Sequence, residues 1–139
     1  MAYATIVHYD PPLDKTKAKP ISELKKLVLK NDIHIVSFIL SYDGFFQLVA
    51  KNVNVEKKNK KAIKFIEENE FIDEFEGCLF DVEKNQKFKH YVVGFDHNKL
   101  DNLISLIDDG VIEDVWLWKN KQVLFLANVH EDQVFEVKN

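Results

Sequence analysis

The residues best equipped for chemistry are His8-Tyr9-Asp10 and Asp96-His97, two places where an imidazole and a carboxylate follow an apolar run. Imidazole nitrogen and carboxylate oxygen suit zinc or iron, and either group can act as a general base. His8, Asp10, Asp96 and His97 therefore make one candidate ligand or metal site, provided the fold brings the two segments together. Spacing alone selects no reaction, because the chain carries no HExxH and no paired CxxC. Solvated loop residues are the simpler explanation of the same pairs. The only glycines are Gly44, Gly77, Gly94 and Gly110, too scattered for a phosphate-cradling loop, and there is no Gly-x-Ser-x-Gly elbow. No cofactor and no resident metal is expected on motif grounds. The single cysteine, Cys78, stands between Gly77 and Leu79-Phe80, a setting for a buried, inert thiol rather than a nucleophile.

Charge offers a second kind of site. Lys57, Lys60, Lys61 and Lys64 precede Glu67, Glu70, Asp73 and Glu74 within one stretch. On a helix that order opposes the macrodipole, with partial relief from pairs three or four residues apart. Such a bipolar face could steer a charged protein partner, or it could be an ordinary solvated face. Asp108 and Asp109, with Glu113 and Asp114 around Gly110, lie close to Trp116 and Trp118, which share one side of a strand. Tryptophan beside charge is a frequent interface mixture, set against core burial of at least one of the rings. The negative neighbourhood disfavours single-stranded nucleic acid stacked on those rings.

The elements that must position these residues follow from local pattern. Thr5 to Tyr9 reads as a strand and Asp10 to about Pro20 as a loop, because Pro11-Pro12 forbids continued pairing. Leu24, Leu27 and Val28 then recur at helical spacing, with Pro20 or Ser22 to open the helix and Asn31-Asp32 to end it. Ile33 to Leu40 and Phe45 to Ala50 read as a hairpin about Asp43-Gly44. Val55 to Phe75 reads as one amphipathic helix, or one broken near Asn69, stopped by Gly77. Cys78 to Val82 follows as a short strand, and then a polar turn to Lys87. His90 to Phe95 reads as a strand. Asn98 with Asp101 resembles a capping box, Leu100, Leu103, Ile104 and Ile107 form a helical face, and Gly110 with Val111 supplies the helix end. Val115 to Trp118 and Val123 to Val129 make a second hairpin around Lys119-Asn120-Lys121, and Val134, Phe135 and Val137 suggest a short edge strand in the tail.

Laid over one another, residues 1–54 and 88–139 show a pseudo-repeat: Thr5-Ile6-Val7-His8-Tyr9-Asp10 matches Tyr91-Val92-Val93-Gly94-Phe95-Asp96 in pattern, and a helix and a hairpin follow each. Chance recurrence of a common element order is the alternative. The fold class expected is α+β, two βαββ-type halves with a ferredoxin-like order in the first, and a mainly antiparallel sheet packed by helices. In Phe45 to Ala50 and Val123 to Val129 both alternating faces are largely apolar. A sheet so built needs cover on both sides, which points to two packed half-sheets or a homodimer.

At 139 residues and 46% hydrophobic content the chain suits a single domain, 1–139, that needs no staples. A charged fraction of 30% and a net charge of −4 argue against duplex nucleic acid. One cysteine, no leader-like N-terminus and no long apolar span point to a cytoplasmic protein that does not enter membrane. Three functional readings result. The first is a non-enzymatic binding domain of inhibitor, immunity or adaptor type, acting through its charged helix and acidic loops on a protein partner. The second is a small-ligand or metal-dependent domain, with enzymatic activity open, whose site lies between the halves near His8, Asp10, Asp96 and His97. A purely architectural homo-oligomer is the third.

Overall fold

The computed structural model describes residues 13–40, 55–77, 88–129 and 131–137. Thr5 to Asp10, the Asp43-Gly44 turn with Phe45 to Ala50, and Cys78 to Lys87 lie outside the described residues. Among the described residues, the strands are β1 (Leu13–Pro20), β2 (Ile35–Leu40), β3 (Glu70–Gly77), β4 (Phe88–Gly94), β5 (Ile112–Lys119), β6 (Gln122–Asn128) and β7 (Gln133–Val137). The helices are α1 (Leu24–Lys30), α2 (Val55–Glu68) and α3 (Leu100–Asp108). The strands form one sheet in the order β1-β7-β6-β5-β2-β4-β3, antiparallel at every pairing. The chain is an α+β protein, and none of the described helices is long and apolar enough to cross a membrane.

Two helix ends use the same device. Beyond α1 the Ile33 N–H donates to the Val28 carbonyl at 3.0 Å and the Asp32 N–H to Leu29 at 3.3 Å. Beyond α3 the Val111 N–H donates to Leu106 at 3.1 Å and the Gly110 N–H to Ile107 at 3.0 Å. Both are Schellman ends, with the left-handed residue being Asp32 (φ 52°) in one and Gly110 (φ 67°) in the other. Ile33 and Val111, both buried, close the two ends against the core. Each helix is also entered through a 3-10 turn, Ile21–Glu23 and His97–Lys99. No side-chain cap bond opens α3, so the capping box expected at Asn98 is not used. A Cβ at residue 110 would touch nothing within 4 Å, so Gly110→Ala carries only the backbone penalty. Urea unfolding is expected to show a loss of about 1–2 kcal/mol, and a smaller one for Gly110→Asn.

β5 and β6 join through Asn120 (φ 52°) and Lys121 (φ 63°), a two-residue type I′ connection that fixes Lys119 opposite Gln122. Between Ser37–Trp116 and Ile39–Glu113, β5 holds one residue more than β2, with Asp114 at φ 46°. This bulge lets Ile112, Val115 and Leu117 all face the helices despite their odd and even positions.

Four expectations are corrected. Leu13–Pro20 is a strand at the end of the described sheet, not a loop: Leu13 lies opposite Val137 and Pro20 opposite Gln133. A polar, lysine-rich segment gives no apolar alternation to read, yet an edge position needs little of it and tolerates a terminal proline. The helix from Val55 ends at Glu68, where the Asn69 side chain donates to the Phe65 carbonyl at 2.8 Å, and Glu70–Gly77 is β3. Phe71, Ile72 and Phe75 stand at a spacing that also fits a helix, and the strand accommodates it with a bulge between Phe71 and Asp73. β7 is not an edge, being flanked by β6 and β1. Finally, the described strands form one continuous sheet rather than two packed half-sheets, because β2 and β5 pair edge to edge. Both edges of β2 over Ile35–Leu40 are taken by β4 and β5, strands from later in the chain.

For Val123 to Val129 the expectation of two largely dry faces agrees with the burial, while Phe45 to Ala50 lies outside the described residues. On one face α1, α2 and α3 place Leu24, Val28, Ala62, Phe65, Leu100 and Leu103 against Val36, Phe38, Val93 and Leu117. On the other, a second cluster contains, among the described residues, the strand residues Phe75, Val92, Trp116, Trp118, Val123, Leu126 and Val137, with Leu13 and Ile35 packed against them.

Candidate functional site

The end of β4 and the start of β2 lie side by side, with Ile35 opposite Gly94. That pairing brings the loop leaving α1 against the turn that enters α3. Asp32 and His34 come from the first and His97 from the second. The Phe95 N–H donates to the His34 carbonyl at 2.8 Å, which ties the two backbones together.

Each imidazole is held by a main-chain carbonyl of the opposite segment. His97 Nε2 lies 2.9 Å from the Ile33 carbonyl, and His34 Nδ1 lies 3.1 Å from the Phe95 carbonyl. A carbonyl only accepts, so those two nitrogens are the donors. In neutral rings the remaining lone pairs sit on His97 Nδ1 and His34 Nε2. The rings are stacked, with centroids 4.1 Å apart and planes 5° from parallel. His34 Nε2 lies 3.0 Å from Asp32 Oδ1, itself an acceptor. Two lone pairs at that distance require a proton or a cation between them. Ligand atoms of Asp32, His34 and His97 all lie within 4.8 Å of one another.

No family model, no curated protein and no solved structure matches this chain.

His34 also forms part of an open cleft of about 720 Å³, whose walls include Glu68 and Asn69 from the end of α2, Glu70 and Ile72 from β3, and Asp96 and Lys99. Three carboxylates against one ammonium give that cleft an acidic bias. Of the four residues marked in the sequence as a ligand or metal site, Asp96 lines the cleft and His97 stacks on His34. His8 and Asp10 lie outside the described residues. Asp32 and His34 were not expected at the site. The available signal was their spacing of two, which in extended chain places side chains on one side, but Asn31-Asp32 carries a stronger meaning as a helix stop.

The charged candidates separate. Lys57, Lys60, Lys61, Lys64 and Glu67 are on α2, the side chain of Lys57 lying outside those described. Lys61 bonds Asp109 at the end of α3, and Lys64 lies 3.8 Å from Glu68. Asp108 and Asp109 are exposed at that helix end, where Lys61 partly offsets an unfavourable charge. Glu70, Asp73 and Glu74 are on β3, not on the helix, so no single bipolar helix face exists. Trp116 and Trp118 are 1% and 0% exposed within the second core cluster, so neither ring is available to a partner. Proximity to acidic residues in sequence did not reveal this, because the neighbouring Glu113 and Asp114 are buried as well.

β3 instead presents apolar side chains. Phe71 and Ile72 are 50% and 37% exposed, set among Glu70, Asp73, Glu74 and Glu76 on the strand that ends the described sheet. Large apolar groups with a charged rim are the ordinary make-up of a docking patch.

Proposed function

We propose that this chain is a non-enzymatic protein-binding domain, of inhibitor, immunity or adaptor type, that engages a basic surface of its partner through β3. The observation that carries this reading is the pair of half-exposed residues Phe71 and Ile72 inside a row of four acids. Apolar side chains supply contact area, and the carboxylates select and steer the complementary charge. Lys60, Lys61 and Lys64 on α2 give the flank the opposite sign and disfavour partners that are basic throughout. The same reading takes α1–β2 and α3–β5 as copies of one ancestral unit, supported by their matching 3-10 entries and Schellman exits.

A photo-crosslinking residue at position 71 tests it, with position 29 as control. Leu29 is equally open, 48% against 50%, but is flanked by Lys25, Lys26 and Lys30. In lysate of the source cells, position 71 is expected to give a discrete protein adduct that is lost in a Glu70→Lys/Asp73→Lys background. Equal labelling from positions 29 and 71, or none from 71, removes the proposal. An adduct between two copies of the chain assigns β3 to homodimer formation instead.

A second reading, a small-ligand domain, is favoured by the acidic cleft. A thermal-shift screen with small amines and guanidines is its test, with the largest shift expected for cations and a smaller one after Glu70→Gln/Asp96→Asn.

A further inference from the structure

We propose that Asp32, His34 and His97 bind a divalent first-row metal ion of zinc type, which clips the exit of α1 to the entry of α3. The proposal depends on neither functional reading above. Four observations converge on it. The donor set is two imidazoles and a carboxylate, which suits borderline cations such as Zn²⁺. One ligand atom from each of the three residues lies within 4.8 Å of those from the other two.

The second observation is the arrangement of protons. Metal-bound histidines donate their other ring N–H to a carbonyl or carboxylate, which fixes ring and tautomer. His34 and His97 each do this, toward the main-chain carbonyls of Phe95 and Ile33. The nitrogens left over are His34 Nε2 and His97 Nδ1, and these are the proposed ligand atoms. The third is the 3.0 Å contact between His34 Nε2 and Asp32 Oδ1, two acceptors that a bound cation would join. The fourth is the choice of residue 32. At the equivalent end of α3 the left-handed position is filled by Gly110, the residue with no Cβ penalty, whereas α1 accepts an aspartate at φ 52°. Its carboxylate is 71% exposed and bonds no main-chain donor among the described residues, so it does not serve the helix end.

The stacked geometry sets a condition. An ion lies near the plane of each imidazole that binds it, and two planes only 5° from parallel do not meet within bonding reach. Binding must therefore splay the rings, by rotation about the side-chain torsions while the carbonyl bonds bend. The exposure of His34, 47%, leaves room for that movement.

The test uses the full chain, Zn²⁺ for calorimetry and Co²⁺ as an absorbing substitute. Asp32→Gly is the informative variant: it removes a ligand yet puts the preferred residue at a left-handed helix end, so the fold is retained. His34→Gln and His97→Gln complete the set, with far-UV circular dichroism of each as the control for folding. One equivalent of Zn²⁺ is expected to bind, and each substitution to weaken it by more than about 10-fold, the loss usual for even an outer partner of a metal site. The Co²⁺ bands are expected to vanish in step, and the ring protons of both histidines to shift together as the stack opens. Absence of saturable binding would overturn the proposal. Binding untouched by Asp32→Gly and His97→Gln, or sensitive to one histidine only, would overturn the shared site as well.

Discussion

Trp118→Ala is expected to lower folding stability by about 3–5 kcal/mol, the range for truncating a large aromatic in a packed core. Trp118 is 0% exposed in the cluster on the sheet face away from the helices. Its Nε1–H donates to Ser37 Oγ at 2.8 Å, and Ser37 is itself 0% exposed. The substitution therefore opens a cavity and removes a buried hydroxyl's donor in one step. Trp118→Phe separates the two effects: most of the ring remains, and the expected loss is about 1–3 kcal/mol from the unpaired polar group and the smaller volume. In a Ser37→Ala background the Trp118→Phe loss is expected to shrink, since the hydroxyl left unpaired is already gone. Urea unfolding followed by circular dichroism measures all of these. A loss below about 0.5 kcal/mol for Trp118→Ala is the signature of a surface position and would contradict the second core.

Trp116 makes the useful comparison. It is 1% exposed in the same cluster, and its indole N–H has no hydrogen-bond acceptor among the described residues. Trp116→Phe removes an unsatisfied donor along with some volume, so its loss is expected to be smaller than that of Trp118→Phe. Two neighbouring tryptophans of equal burial thus differ in what their nitrogens do.

Local pattern reached those elements whose stability is mostly local. α3 is legible because Leu100, Leu103 and Ile107 fall on one face and Gly110 closes it; the β5–β6 connection is legible because two apolar runs flank a short polar one. β1 was not, since nothing in Lys15-Thr16-Lys17-Ala18-Lys19 announces pairing. That strand exists because β7 offers backbone partners to its two ends, Leu13-Asp14 and Lys19-Pro20, more than a hundred residues away, with an irregularity between them. β3 carries Phe71, Ile72 and Phe75 at a spacing that also fits a helix, a pattern the strand accommodates with a bulge, and only the partner strand β4 decides between the two. The pairing of β2 with β4 and β5 is likewise non-local, and sequence adjacency favoured a hairpin.

The same division holds for the site. Asp96 and His97 stood out as an acid and an imidazole at a strand exit. His34 did not, because its significance comes from Phe95 and His97, more than sixty residues downstream. Trp116 and Trp118 were ambiguous in sequence, since interface and core draw on the same aromatic residues. The exposed acids of β3 gain their meaning only from the strand that carries them, which puts Phe71 and Ile72 outward among them.

Phe38→Ala is expected to be as costly as Trp118→Ala, about 3–5 kcal/mol, although it acts on the opposite side of the sheet. Phe38 is 0% exposed under the helices, with ring centroids 6.2 Å from Phe65 of α2 and 6.5 Å from Tyr91 of β4. The pair of substitutions measures what each face contributes. In an antiparallel sheet with one wet face, inward positions carry the packing energy and outward ones are nearly neutral. A large loss at Phe38 with almost none at Trp118 would return this protein to that ordinary plan. Comparable losses mean that the sheet is the middle of the core rather than its floor. Phe38 and Trp118 come from adjacent strands and point to opposite sides, so additive losses in the double variant would further show two packing units that share a backbone but not their side-chain contacts.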